Sequence, residues 1–376
     1  MAVVAVAAVT VIVVRQVAGG SGGDDDSPGE ASDGWVADIG NAGRLTTDGD
    51  TVCGGALDGR LFCLDAATGA ERFSVTLDDG VIGPPVLVDD RLIVAHSTPQ
   101  AGQLAAYTLD GDELWTAPLN VRGGDEIPVV DGVAAVVDDD QMGADELVGV
   151  DVSDGSERWR VGPPDGFDFP DQHDMREDAF TDGTRVYVAL HTISRRVEPA
   201  TVTLAVDPTT GAELWRAPLA DRSEAGVSID GVVPVDDGSS VAVLVDGYPG
   251  RVLLLDTATG AERWRRPLAT SGLGTSLAQL DGSTIVLDGD ELLALDAAGG
   301  ERWRAPAPGA GQGSELVVEQ DRLFHAAEDL SVVDPSTGEA TVVREGVGAT
   351  DVAVARDLLV CSGTFQVEAL PRSAVD

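Results

Sequence analysis

Any chemistry in this chain falls to a few polar side chains that depart from its regular pattern. The densest group lies in Pro163-Pro164-Asp165-Gly166-Phe167-Asp168-Phe169-Pro170-Asp171-Gln172-His173-Asp174-Met175-Arg176. Asp168, Asp171, His173 and Asp174 offer carboxylate and imidazole donors in one short stretch, which could hold a cation. Phe167 and Phe169 set apolar rings in the same acidic stretch, which suits a partner-contacting loop. The alternative is that both rings fold back over the edges of the scaffold. Ser194-Arg195-Arg196 supplies guanidinium groups able to recognise a carboxylate or to pair with the acidic stretch nearby. Asp138-Asp139-Asp140 is a weaker calcium candidate and reads first as a solvated turn.

Catalytic patterns are missing. There is no His-Glu-x-x-His, and no nucleophile stands beside a base. Gly309-Ala310-Gly311-Gln312-Gly313 lies between two strands, without the helix that a dinucleotide site needs. His96, His191 and His325 fall near the ends of equivalent strands in separate repeats, too far from a common axis to share a metal. The chain has no lysine, so it has neither a phosphate-binding P-loop nor a Schiff base. The expectation is a protein that is not an enzyme and takes no cofactor.

Charge narrows the partners. Sixty-five acidic residues against 24 basic ones give a net charge of −41. Such a surface repels phosphate backbones and anionic head groups, so nucleic acid and direct lipid binding are excluded in favour of a protein or peptide partner. The 3 cysteines are too few for a disulfide framework. A turn at Asp58-Gly59 would set Cys63 opposite Gly54, with Cys53 and Cys63 on opposite sheet faces, so small buried thiols are expected.

The elements that must position these residues form a repeat. An apolar strand ends in Asp, turns through Gly, and restarts with Glu-x-Trp. The full form spans Asp151 to Trp159, Asp207 to Trp215 and Asp256 to Trp264. Asp65 to Phe73 keeps the length with Phe in place of Trp. Asp296 to Trp303 and Asp110 to Trp115 are shorter, and Asp334-Pro-Ser-Thr-Gly338-Glu339 keeps only the turn. Asp closes the turn through backbone bonds, Gly takes positive φ, and the aromatic fills the space between neighbouring sheets. Two more strands precede each turn, so each unit is four antiparallel strands, A to D, of roughly 40 residues, as in a propeller blade.

The outer-strand aromatics are Phe73, Trp115, Trp159, Trp215, Trp264 and Trp303, with the Val342 region as a seventh outer strand. After it come Asp351-Ala355, Leu358-Cys361 and Gln366-Leu370, and no fourth strand. Trp35, in Gly34-Trp35-Val36-Ala37-Asp38-Ile39, supplies it from the other end of the chain. The expected fold is all-β, an eight-bladed β-propeller whose N-terminal strand closes the last blade; seven blades is the alternative. The expected organisation is a hydrophobic signal or anchor segment over 1–19, a Gly/Ser/Asp linker over 20–33, the propeller over 34–371 and a tail over 372–376. Membrane contact would come only through the first segment.

The Leu-Asp-x-x-Thr-Gly-x-Glu-x-Trp pattern resembles the PQQ-like repeat, and the resemblance covers Trp35 to Leu370. No Trp-Asp pair of the WD type occurs. Two kinds of relative share the repeat. Quinoprotein dehydrogenases hold pyrroloquinoline quinone and calcium at the propeller centre, with a stacking tryptophan and a disulfide between adjacent cysteines. This chain has no adjacent cysteine pair and no tryptophan outside the packing positions. The outer-membrane assembly propellers are non-catalytic and of similar length, although the lipid-attachment cysteine of that lipoprotein is absent. The resemblance therefore implies an extracytoplasmic, monomeric binding or assembly scaffold that uses one loop face. The alternatives are a small-ligand or cation sensor in the central funnel and a quinone-dependent oxidoreductase.

Overall fold

The computed structural model describes residues 14–16, 34–40, 42–56, 58–77, 83–97, 102–121, 127–138, 145–169, 179–192, 201–220, 227–246, 250–270, 275–311, 313–319, 321–363 and 366–372. Every regular element among them is a strand, and no helix there is long and apolar enough to cross a membrane. The strands form eight antiparallel sheets in sequence order around a ring, each with its A strand innermost. Blade one, for example, is Ala42–Thr47, Thr51–Ala56, Arg60–Asp65 and Glu71–Thr76.

Blade eight is assembled from both ends of the chain. Ala349–Ala355, Leu358–Gly363 and Val367–Pro371 are its inner three strands, and Trp35–Ala37 pairs with the last of them as the outer strand. A closed ring leaves no unpaired blade. Val14–Gln16 adds a fifth strand outside Trp35–Ala37. It is the described part of the 1–19 segment, whose other residues lie outside the described ones.

The hydrophobic core is eight interblade cores rather than one. Each B and C strand is covered on both faces by neighbouring blades, so these strands read as near-continuous apolar runs such as Ser240–Asp246, which is buried throughout. Outer strands have one covered face. Glu157–Val161 alternates accordingly, with Glu157 and Arg158 exposed and Trp159 buried. Tight A–B turns use Asp-Gly at positive φ, as at Asp131-Gly132 and Asp281-Gly282.

The cysteines correct the sequence expectation. Cys53 and Cys63 stand directly opposite each other, their Cα atoms 4.1 Å apart, and form a disulfide. The connection is three residues, 57–59, closed by the Gly59 N–H donating to the Ala56 carbonyl at 2.9 Å, and not two. One added turn residue shifts the register by one, sets Gly54 against Phe62, and brings both thiols to the same face. Cys361 is a free, buried cysteine.

Candidate functional site

The inner strands wall a central channel, and three of them carry a bulge. The register slips between Ala42 and Leu45 in blade one, between Ile229 and Gly231 in blade five, and between Ala349 and Asp351 in blade eight. A bulge adds one residue and re-aims its neighbours. Here the bulges coincide with Arg44, Asp230 and the approach to Asp351. The Arg44 guanidinium meets Glu315 of blade seven at 2.9 Å. Asp351 accepts the Leu45 N–H at 2.6 Å and so joins blade eight to blade one beside the axis. Burial, reinforced by the Glu315 charge, pushes the Asp351 carboxyl up to about 7.

Two cavities meet at the Arg44–Glu315 pair. One of about 330 Å³ is lined by Arg44, Phe180, Asp230, Ser276, Ser314 and Glu315, among others. It reaches the first residues of the inner strands of blades six and seven, the middle of that of blade five and the last residues of that of blade four. A second of about 420 Å³ runs along the later residues of blades one, seven and eight, past Thr46, Glu319 and Asp351. Burial also raises the Glu319 carboxyl. The channel is thus polar and mostly acidic, with one guanidinium in its described lining.

Above the channel lie the connections from B to C and from D to A, which share a face. On that face the spans of seven or more residues are 77–85, 118–128, 139–145, 193–200, 221–227, 268–274 and 307–314, spread around the ring. The opposite face carries short turns such as 131–132 and 281–282. Carboxylates at the ends of B strands anchor the D–A spans. Asp138 accepts the Asn120 N–H at 2.8 Å and also pairs with Arg160 at 2.7 Å. Asp288 accepts the Ala269 and Thr270 N–H groups at 2.8 and 2.9 Å. Asp138, the described member of the Asp138-Asp139-Asp140 run, is therefore a loop anchor; Asp139 and Asp140 lie outside the described residues.

The acidic stretch sits differently from the sequence expectation. Phe167 and Asp168 are not in a partner-contacting loop; they begin the inner strand of blade four and pair with Thr192 and His191. The same strand resumes at Ala179–Thr181, paired with Val186–Val188. The registers on either side show that residues 169–178 fall within a single inner strand. Phe169 is only 4% exposed and belongs to the core between blades three and four. Phe167 packs against that core with the Arg216 guanidinium 5.7 Å from its ring centre. Asp168 accepts the Phe169 N–H at 3.0 Å. Asp171, His173, Asp174, Arg195 and Arg196 lie outside the described residues.

His96, His191 and His325 stand on the B strands of blades two, four and seven. His325 is fully buried, and burial lowers its pKa and that of His96. Among the described residues no three His, Cys, Asp or Glu side chains gather as metal ligands. Sequence reasoning missed the channel charges Arg44, Asp230, Glu315 and Asp351. Their signal was a charged residue within strands whose pattern otherwise calls for apolar ones.

Eight four-stranded blades joined by the Asp-turn and outer-strand aromatic define a propeller of PQQ-like repeats. The family model described as outer membrane protein assembly factor BamB matches residues 27–191 and 199–363, and the chain belongs to that family. BamB from Moraxella catarrhalis is similar in structure, at 19% identity and a TM-score of 0.56, over 84% of this chain and 95% of that one. The quinohemoprotein alcohol dehydrogenase ADHIIG from Pseudomonas putida HK5 is similar at 11% identity and a TM-score of 0.59, over 87% and 72% of the two chains. The computationally designed Ika8 protein is similar at 14% identity and a TM-score of 0.63, over 88% and 96%. These likenesses are of fold alone. No curated protein sequence matches the chain.

The described channel lining offers no tryptophan on which a quinone could stack. All 6 tryptophans lie on outer strands, each with its indole N–H given to the next blade, and Phe180 is the aromatic side chain in the described cavity linings.

Proposed function

We propose that this protein is an extracytoplasmic, non-catalytic binding or assembly scaffold that holds a protein or peptide partner on the face bearing the B–C and D–A connections. One observation carries the reading: among the connections joining blade strands A to D, those of seven or more residues belong to that face, while the other face is closed by turns of six residues or fewer. Rigid strands that present variable loops on one side are a common way to build a binding surface. Membership of a family named for outer-membrane protein assembly supports both the kind of partner and the compartment. The net charge of −41 favours partners with basic segments. No cofactor or metal enters this reading, and the propeller acts as a monomer.

Site-specific photocrosslinking in cells tests it. A crosslinking residue at Asp165 or Glu328, exposed on the loop face, is expected to trap one discrete protein. The same residue at Ser153 or Thr210, exposed on the opposite face, is expected to trap none. Equal trapping from both faces, or none from either, would overturn the reading.

A further inference from the structure

We propose that the 330 Å³ channel cavity, which reaches the loop-face end at blades six and seven, seats a basic side chain, an arginine or lysine carried by the partner's bound segment. This rests on the partner-binding reading above and names the chemistry at its centre.

Three observations carry it. First, the cavity is placed for a segment held on the loop face. It is lined by Ser276 and Leu277 near the start of the inner strand of blade six and by Gly313 and Ser314 at the entrance to blade seven, next to the D–A connections that lead into both. Second, the chain already shows that a channel carboxylate holds a guanidinium there, because Arg44 enters from a bulge and meets Glu315 at 2.9 Å. An incoming cation would share Glu315 with Arg44 and reach Asp230, which a second bulge brings to the same cavity. Third, the walls suit a long basic side chain and no acidic one. Carboxylates of blades five, seven and eight line the channel, and the molecule as a whole carries −41. Phe180, Leu277 and Leu316 offer apolar contact for the methylene stem, as basic side chains require when only their tips are polar. Such a seat gives orientation and a fast encounter with basic segments more than raw affinity.

The test uses the full chain and three synthetic peptides, Gly-Arg-Gly, Gly-Lys-Gly and Gly-citrulline-Gly, titrated calorimetrically in low and high salt. The arginine and lysine peptides are expected to bind saturably and to weaken as salt rises, and the citrulline peptide is expected not to bind. Asp230→Asn and Glu315→Gln, each shown by thermal melting to remain folded, are expected to weaken the arginine peptide roughly tenfold, as loss of a charge-assisted bond implies. Citrulline binding equal to arginine, or unchanged arginine binding in both folded variants, would overturn the proposal. Failure of the arginine peptide while Asp165 still crosslinks a partner sinks the seat and leaves the loop-face reading intact. Peptide binding without any crosslink from the loop face overturns the partner role of both.

Discussion

The indole N–H of Trp159, on the outer strand of blade three, donates to the carbonyl oxygen of Pro208 in blade four at 2.8 Å. Five other tryptophans make the same bond: Trp35 to Ala66, Trp115 to Val152, Trp215 to Thr257, Trp264 to Ala297 and Trp303 to Pro335. The acceptor is always the residue after the turn Asp. The ring lies over the turn glycine of the next blade, so one residue type joins a hydrogen bond to a large apolar contact at six of the eight junctions.

Both halves of this latch can be broken separately. Trp159→Phe keeps the ring but leaves the Pro208 carbonyl without its donor, and is expected to cost about 1–2 kcal/mol in urea unfolding. Gly211→Ala puts a Cβ 2.5 Å from the Trp159 ring at a residue with φ of +69°, and is expected to cost at least as much. Leu214→Ser, on the strand next to Trp215 but 46% exposed, should change stability by less than about 0.5 kcal/mol. A Trp159→Phe variant as stable as the parent would show that the bond does not matter.

One junction has the ring without the bond. Phe73 lies over Gly111 of blade two, where Leu109 occupies the place of the accepting residue. Phe73→Trp is expected to add the missing bond and raise stability by about 1 kcal/mol. Val342→Trp in blade seven is expected to gain nothing. The C and D strands of blade eight come from opposite ends of the chain, so no turn glycine lies opposite Val342. Equal effects of the two substitutions in a melting assay would refute the latch as the source of the gain.

The latch also explains what could be read from the sequence. Asp, Gly and Trp at fixed spacing mark where one strand ends, how the chain turns, and which blade the ring meets. The eight blades follow from that spacing, and so does the return of Trp35 to complete the last of them. Features set by a single inserted residue were not legible. A three-residue rather than two-residue turn joined Cys53 to Cys63. The bulges at Arg44 and Asp230 turned charges toward the axis, and nothing in a period-two pattern announces an extra residue. The insertion at 169–178 was visible, but not its origin within an inner strand, because Phe167-Asp168 is too short to read as a strand.

The Cys53–Cys63 disulfide joins neighbouring strands of blade one, with a sequence separation of 10, and both cysteines are fully buried. Restricting so short a loop in the unfolded chain is worth about 2–3 kcal/mol. Reduction under unfolding conditions should lower the melting temperature on refolding, and Cys53→Ala/Cys63→Ala should melt at the same lower value. The native protein should resist a water-soluble reductant until it opens. Burial pushes the Cys361 thiol up, so that residue should stay unlabelled by a thiol reagent in the folded state. Rapid labelling of Cys361 without unfolding would contradict its burial.

The buried carboxyl of Asp351 makes stability depend on pH in a direction opposite to that of most carboxylates. Its pKa is pushed up to about 7, first by burial and then by Glu315, whereas in the unfolded chain it ionises near ~4. Between those values the folded state binds more protons than the unfolded state, so this group makes the protein less stable as pH rises from about 4 to about 7. The full effect is on the order of 4 kcal/mol. His96 and His325 act oppositely, because burial lowers their pKa values and their contribution is lost as pH falls below about 6.5. The comparison that isolates Asp351 is the difference between the parent and Asp351→Asn, whose side-chain oxygen can still accept the Leu45 N–H. Urea unfolding at a series of pH values should find the variant gaining on the parent steadily from pH 4 to 7 and holding that gain above. A constant difference across the range would mean that Asp351 does not change its ionisation on folding.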